Sequence, residues 1–174
     1  ERTDQDRGLM VIRVLILGAN GNLARNTTRA FLDRTDVELT LYLRRISRLT
    51  NPEPARVTVV EGDVLARRAL EAAMKGQDIV YANLSGNLAA QARTIVEAMH
   101  ATGLKRLIFI SSMGIYGEVP GQTYHSILDQ YRDAAAEIER SDLDYTVLRP
   151  GWFSRHASDK LCLTRKGEPF VGHD

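Results

Sequence analysis

The sequence is poor in the features that mark several protein classes. Among 174 residues there is one cysteine, Cys162, so neither an internal disulfide nor a multi-cysteine zinc site is available. That usage fits a reducing compartment, and a cytoplasmic location is expected. No apolar run approaches the ~18 residues that span a bilayer, because Arg13 breaks the longest stretch, from Leu9 to Ala19. A membrane partner is not expected. Nor is there an excess of one charge: 23 Lys and Arg face 22 Asp and Glu, which gives no field strong enough to hold nucleic acid. The four histidines, His100, His125, His156 and His173, are scattered without a helical pair, so no metal site is expected.

What is present is a composition that can bury a core, 44% hydrophobic with 13 Gly and 5 Pro. One domain over residues 10–174 is expected, behind a polar lead of residues 1–9 with no assigned role. Six short runs rich in β-branched and aliphatic residues recur: Val11 to Leu17, Val37 to Leu43, Val57 to Val60, Ile79 to Leu84, Leu107 to Ile110 and Tyr145 to Leu148. Near-continuous apolar runs are the mark of strands buried on both faces of a parallel sheet. Between them the apolar period changes to 3.6, as in Leu23, Thr27, Ala30 and Phe31, or Leu88, Ala92, Ile95, Val96 and Met99.

A third helix is expected from Leu65 to Lys75, stopped by Gly76, and a fourth from Ile127 to Arg140 with Ile127, Tyr131, Ala134, Ala135 and Ile138 facing the core. Gly103 and Ser141 stand at similar exits. Pro52 and Pro54 prevent a full helix between the second and third strands, leaving an expected mobile basic loop. Alternating strand and helix with short connections implies an α/β fold, a three-layer doubly wound parallel sheet ordered 3-2-1-4-5-6.

Directly after the first strand comes Gly18-Ala19-Asn20-Gly21-Asn22-Leu23-Ala24, with a helical pattern beginning inside it. Glycine allows a sharp turn and close approach to a pyrophosphate, and the helix N-terminus attracts its oxygens. No Lys-Ser or Lys-Thr follows, which argues against a nucleoside-triphosphate loop. At the end of the second strand, where a carboxylate would bind the 2′-hydroxyl of NAD, stand Arg44 and Arg45. Guanidinium groups pair with a 2′-phosphate, so NADP (NADPH) is favoured over NAD, with no nearby carboxylate expected to repel it. The alternative is that both are solvated loop residues. Asp63, after the third strand, either faces adenine or caps the helix beginning near Leu65.

GANGNLA, LRR, GDV, SSMGIYG and DYTVLRPGW, in that order, resemble the atypical short-chain dehydrogenase/reductase superfamily over Val11 to Trp152. Within it the chain is similar to the NAD(P)H-binding, NmrA-like group, itself close to the flavin and biliverdin reductases. The resemblance implies an NAD(P)-binding Rossmann fold. It implies that Gly18, Asn20, Gly21, Asn22 and Leu23 line the pyrophosphate, with Ala24 in place of a third glycine. It places Arg44 at the 2′-phosphate, Asp63 and Val64 against adenine, and Asn83, Leu84 and Ser85 beside adenine and its ribose. Ser111 and Ser112 end the fifth strand, and Pro150 to Phe153, including Trp152, close over the nicotinamide. Trp152 serves equally well as a packing residue.

The superfamily's Tyr and Lys four residues later are missing. Four residues beyond Tyr116, Tyr124 and Tyr131 stand Pro120, Leu128 and Ala135; counted back from Glu137, the two places hold Asp129 and Asp133. Ser112 matches the family's substrate-polarising serine. Tyr131 or Tyr124 is the candidate hydroxyl from the following segment, each with a structural alternative. Cys162, in a Leu-Cys-Leu triplet, is expected in a buried strand, and Arg165-Lys166-Gly167 in a solvated turn. Only 24 residues follow Pro150, which disfavours a sugar-nucleotide epimerase. The expected activities are reduction of a small electrophilic acceptor by NADPH, and redox sensing through a regulatory protein partner without turnover. A monomer or homodimer is expected.

Overall fold

Six parallel strands alternate with four helices in a computed structural model that describes residues 11–34, 36–151 and 162–170. The order is β1 (Arg13–Leu17), α1 (Asn22–Arg34), β2 (Glu38–Leu43), β3 (Val57–Glu61), α2 (Arg67–Met74), β4 (Ile79–Ala82), α3 (Leu88–Thr102), β5 (Arg106–Ile110), α4 (Asp129–Glu139) and β6 (Asp144–Leu148). The sheet runs β3-β2-β1-β4-β5-β6, the expected doubly wound α/β order. Ile16 sits opposite Leu41, and Leu15 opposite Val80.

The unbroken apolar run of β1 follows from burial on both sides. Leu15 and Leu17 join Leu70, Ile95, Met99, Ala134 and Ile138 under α2, α3 and α4, while Val14 and Ile16 join Leu39, Leu41 and Ala24 under α1. One face thus has three helices, whereas the β1–β2 side of the other rests on α1. No full helix forms between β2 and β3; a single 3-10 turn, Ile46–Arg48, stands there. Leu49 from this loop packs onto the α1-side core in the place a helix would have filled.

That loop is braced by hydrogen bonds. Glu61 Oε2 accepts from the Ile46 amide at 2.9 Å, Asn51 Nδ2 donates to the Val57 carbonyl at 2.8 Å, and Arg56 donates to the Leu32 and Val37 carbonyls. Other boundaries also shift. Asn83 and Leu84 leave β4, and α2 starts at Arg67 because Asp63 to Ala66 form a hydrogen-bonded turn first. Gly103 ends α3 in the left-handed region with φ +73°. Ser141 instead uses its hydroxyl, which donates to the Ile138 carbonyl at 2.6 Å.

Two expectations are corrected. Ile127 is 67% exposed rather than buried: it lies in a 3-10 turn, Ser126–Leu128, whose three-residue period rotates it off the buried stripe of α4. Cys162 is exposed and outside any strand, since a short apolar triplet does not by itself secure a ladder partner. The turn at Lys166 and Gly167 is present. The expected lead of residues 1–9 lies outside the described residues. Among the described residues no helix is long and apolar enough to cross a membrane, and no cluster of metal-ligating side chains occurs.

Candidate cofactor site

At the carboxyl end of β1 the chain turns on Gly18, at φ +75°. The Gly18 amide donates to the Tyr42 carbonyl at 3.0 Å, the Gly21 amide to the Gly18 carbonyl at 3.0 Å, and the Arg25 amide to the Gly21 carbonyl at 2.9 Å. The loop therefore closes directly into α1. The first amides of the helix, including those of Asn22 and Leu23, have no intrahelical acceptor and form the positive end of its dipole. A Cβ on Gly18 would overlap the Asn83 carbonyl oxygen, so the exits of β1 and β4 pinch together there. Ala24, in the third-glycine place, is fully buried between helix and sheet. Asn20 Oδ1 accepts from Arg25 Nη2 at 2.6 Å, which fixes the loop's side chain to α1.

These exits open a cleft of about 620 Å³. Its walls bring together ten of the residues singled out from sequence. Gly18, Asn20 and Gly21 supply the turn, Arg44 and Arg45 one rim, Asp63 and Val64 a second, and Asn83, Leu84 and Ser85 the third. Asp63 lines the cleft, and its Oδ1 accepts from the Leu65 amide at 2.9 Å; the expected helix cap is corrected, since that bond closes the turn ahead of α2, whose N-cap, Ala66, has no side-chain hydrogen bond. Asn22 and Leu23 stand behind the turn in the first turn of α1. Ser111 and Pro150 lie further along the sheet, where the Ser111 amide donates to the Leu148 carbonyl at 2.7 Å and the Met113 amide to the Pro150 carbonyl at 3.0 Å. Trp152 lies outside the described residues.

Several contributors escaped the sequence reading. Tyr42 links two strand exits, accepting from Gly18 through its carbonyl and donating from its hydroxyl to the Asp63 carbonyl at 3.1 Å. Burial, and then the Asp63 charge, push its hydroxyl above the ordinary pKa. Its ring passes so close to Gly62 that any Cβ there would overlap it, a reason for glycine in Gly-Asp-Val that the motif alone does not reveal. Gln91, from α3, donates through Nε2 to the Ser85 carbonyl at 3.2 Å, which identifies its other end as oxygen. That Oε1 is buried without a donor. The amide gains if it turns toward a ligand N–H or O–H.

Arg48 joins Arg44 and Arg45 on the cleft wall, and none of the three makes an ion pair among the described residues. The expected absence of a carboxylate nearby is corrected: Glu61 pairs opposite Leu43 at the end of β3, although its carboxylate is engaged by the Ile46 amide. A turn that only glycine fits, open helix amides, three cations in no ion pair among the described residues and an acceptor without a donor together suit a phosphate-bridged dinucleotide.

The far side of the same sheet end is built differently. Ser112 Oγ donates to the Met113 carbonyl at 3.2 Å. Ser111 Oγ reaches the Tyr131 carbonyl at 3.5 Å, and the Tyr131 ring packs half-buried against the core. Tyr124 donates to Asp129 Oδ1 at 2.8 Å and accepts from Arg132 at 3.1 Å, on an exposed surface. Tyr116 donates to Glu139, whose other oxygen holds Lys166 at 2.7 Å. Burial leads, with Glu139 assisting, in raising the Tyr116 hydroxyl above its ordinary value, the wrong direction for an acidified phenol. Glu118 accepts from the Gly114 and Tyr116 amides and from Arg149 at 2.7 Å. Burial pushes its carboxyl up, but the amides and Arg149 outweigh this and hold it below 4.5.

The family described as NAD(P)H-binding matches residues 18–174. A Rossmann-fold NAD(P)-binding family protein from Shigella flexneri is 41% identical, with 92% of this chain and 77% of that one covered and a TM-score of 0.80. A short-chain dehydrogenase/reductase from Veillonella parvula DSM 2008, solved in complex with NADP, is 31% identical over 80% of this chain and 69% of that one, at a TM-score of 0.71. The uncharacterized sugar epimerase YhfK of Bacillus subtilis strain 168 is 25% identical over 156 residues, 80% of this chain and 72% of that protein.

Proposed function

We propose, from the premise that this chain belongs to the NAD(P)H-binding family of Rossmann-fold, short-chain-dehydrogenase-like proteins, that it is a cytoplasmic, NADPH-dependent reductase of a small electrophilic acceptor, a quinone, flavin or similar conjugated ring. On this reading it is NmrA-like. The observation that carries the preference for NADPH is the set Arg44, Arg45 and Arg48 on the cleft wall with no ion-pair partner. Three unpaired guanidinium groups gain more from a dianionic 2′-phosphate than from a neutral hydroxyl. The relative from Veillonella parvula, solved with NADP, supports the same choice.

Gly18, Gly21 and the opening amides of α1 would hold the pyrophosphate, Arg44 and Arg45 the 2′-phosphate, and Asp63, Val64, Asn83, Leu84 and Ser85 the adenosine. When bound, the reduced nicotinamide supplies a hydride. Without a Tyr-Lys pair, the protein's part is to orient an acceptor that is already electrophilic, with its proton coming from solvent. Ser112 would be the hydroxyl that orients it, with Tyr131, on the helix that follows, the second candidate. Steady NADPH oxidation with a panel of quinones and flavins tests this reading: turnover with at least one acceptor, lost in the presence of excess NADP, is the expected result.

A second reading rests on one observation, the engagement of the Ser112, Tyr116 and Tyr124 hydroxyls by neighbouring protein groups. On that reading the chain binds NADP(H) without turnover and passes its redox state to a protein partner. Tight binding with no oxidation across the panel would select it.

A further inference from the structure

The β2–β3 connection that fails to become a helix lines a second cleft, about 560 Å³, which shares only Arg48 with the first. Its long wall is one face of α1, Arg25, Thr28, Arg29, Leu32 and Asp33, which recur at helical spacing over about 12 Å. Leu41 from β2 forms the floor, and Leu49 and Pro52 from the loop form the facing wall. The hydrogen bonds of Asn51, Arg56 and Glu61 brace that loop, so the cleft is preformed.

Its lining carries four arginines, Arg25, Arg29, Arg48 and Arg56, against two carboxylates, Asp33 and Glu53. The Arg56 guanidinium is spent on the Leu32 and Val37 carbonyls. Arg25 bonds only the neutral Asn20 side chain, and Arg29 and Arg48 make no ion pair among the described residues. An apolar floor with an excess of cations matches a ligand with an anionic head and an apolar body.

We propose that this cleft is a binding site for a free small-molecule amphipathic anion, a carboxylate or phosphate monoester on a chain or ring of medium size. Its head lies between Arg25 and Arg29, and its body over Leu32, Leu41 and Leu49. The site is separate from the dinucleotide cleft and shares only the Arg48 wall with it.

Isothermal titration of the whole chain with octyl phosphate, below its micellar concentration, tests the assignment. One saturable site is expected, with inorganic phosphate and octylammonium at least tenfold weaker. Arg29→Glu should weaken octyl phosphate at least tenfold while leaving NADP affinity within twofold, and Arg29→Lys should retain most of the binding. NADP binding in the same variants is read separately, so loss of one ligand and loss of the other are distinguishable. Unchanged octyl phosphate binding in Arg29→Glu would overturn the proposal. So would full displacement of octyl phosphate by NADP, which would put the probe in the dinucleotide cleft, or equal binding of inorganic phosphate, which would remove the apolar part. Sedimentation of the chain with phosphatidylglycerol vesicles, abolished by Arg29→Glu, would contradict a free ligand.

Discussion

The two halves of the sheet's carboxyl edge handle polar groups in opposite ways. Over β1, β2 and β4, cations and amides are left open around a turn that only glycine fits, and a buried Gln91 oxygen lacks a donor. Over β5 and β6, each notable group is already answered: Glu118 by two amides and Arg149, Tyr116 by Glu139, Glu139 by Lys166, and Ser112 by a neighbouring carbonyl. Unpaired polar groups cost stability unless a ligand supplies the partner. The first half is thus built to take a ligand, and the second to hold its own shape.

Substitution at Gly18 breaks the open half most severely. Gly18→Ala puts a Cβ into the Asn83 carbonyl at a positive φ. It is expected to cost about 2–4 kcal/mol of stability and to abolish the thermal shift given by dinucleotide. Next comes Arg44→Ala, which should weaken NADP by about tenfold to a hundredfold while changing NAD little, as measured by calorimetry. Equal losses for both would remove Arg44 from the 2′-phosphate.

In the closed half the expected effect is on stability. Glu118 is ionised more readily folded than unfolded, so its contribution is present above pH 4.5 and is lost as pH falls through its lowered folded value. Glu118→Gln should therefore destabilise the chain near neutrality by about 1–3 kcal/mol, and the gap from wild type should narrow as the pH falls below 4.5 and through the lowered folded value. A gap independent of pH would mean that the charge is not what holds the Gly114 to Gly117 turn. Smallest of all, Ser112→Ala should lower any turnover by less than about tenfold, since its hydroxyl already donates within the chain.

How much of this was legible in sequence follows the same division. Strand order and the Gly18 turn could be read because both-face burial and a strand–glycine–helix junction leave continuous local patterns. The cleft wall was legible through Arg44, Arg45, Asp63 and Asn83, each next to a strand end. Tyr42 and Gln91 were not: one looks like any strand residue and the other like any helix residue, and their roles arise only when β1, β3 and the β4 exit converge. The Glu118 cluster was equally hidden, because its partner Arg149 is 31 residues away. Ile127 was misread because a 3-10 turn breaks the helical phase just before α4.

The central claim is that the open half is a dinucleotide site with a preference set by its arginines. Calorimetric titration of the whole chain with NADP and with NAD tests it most directly. One saturable site with NADP the tighter ligand is the expected result; no heat from either dinucleotide, or NAD bound more tightly than NADP, would contradict it.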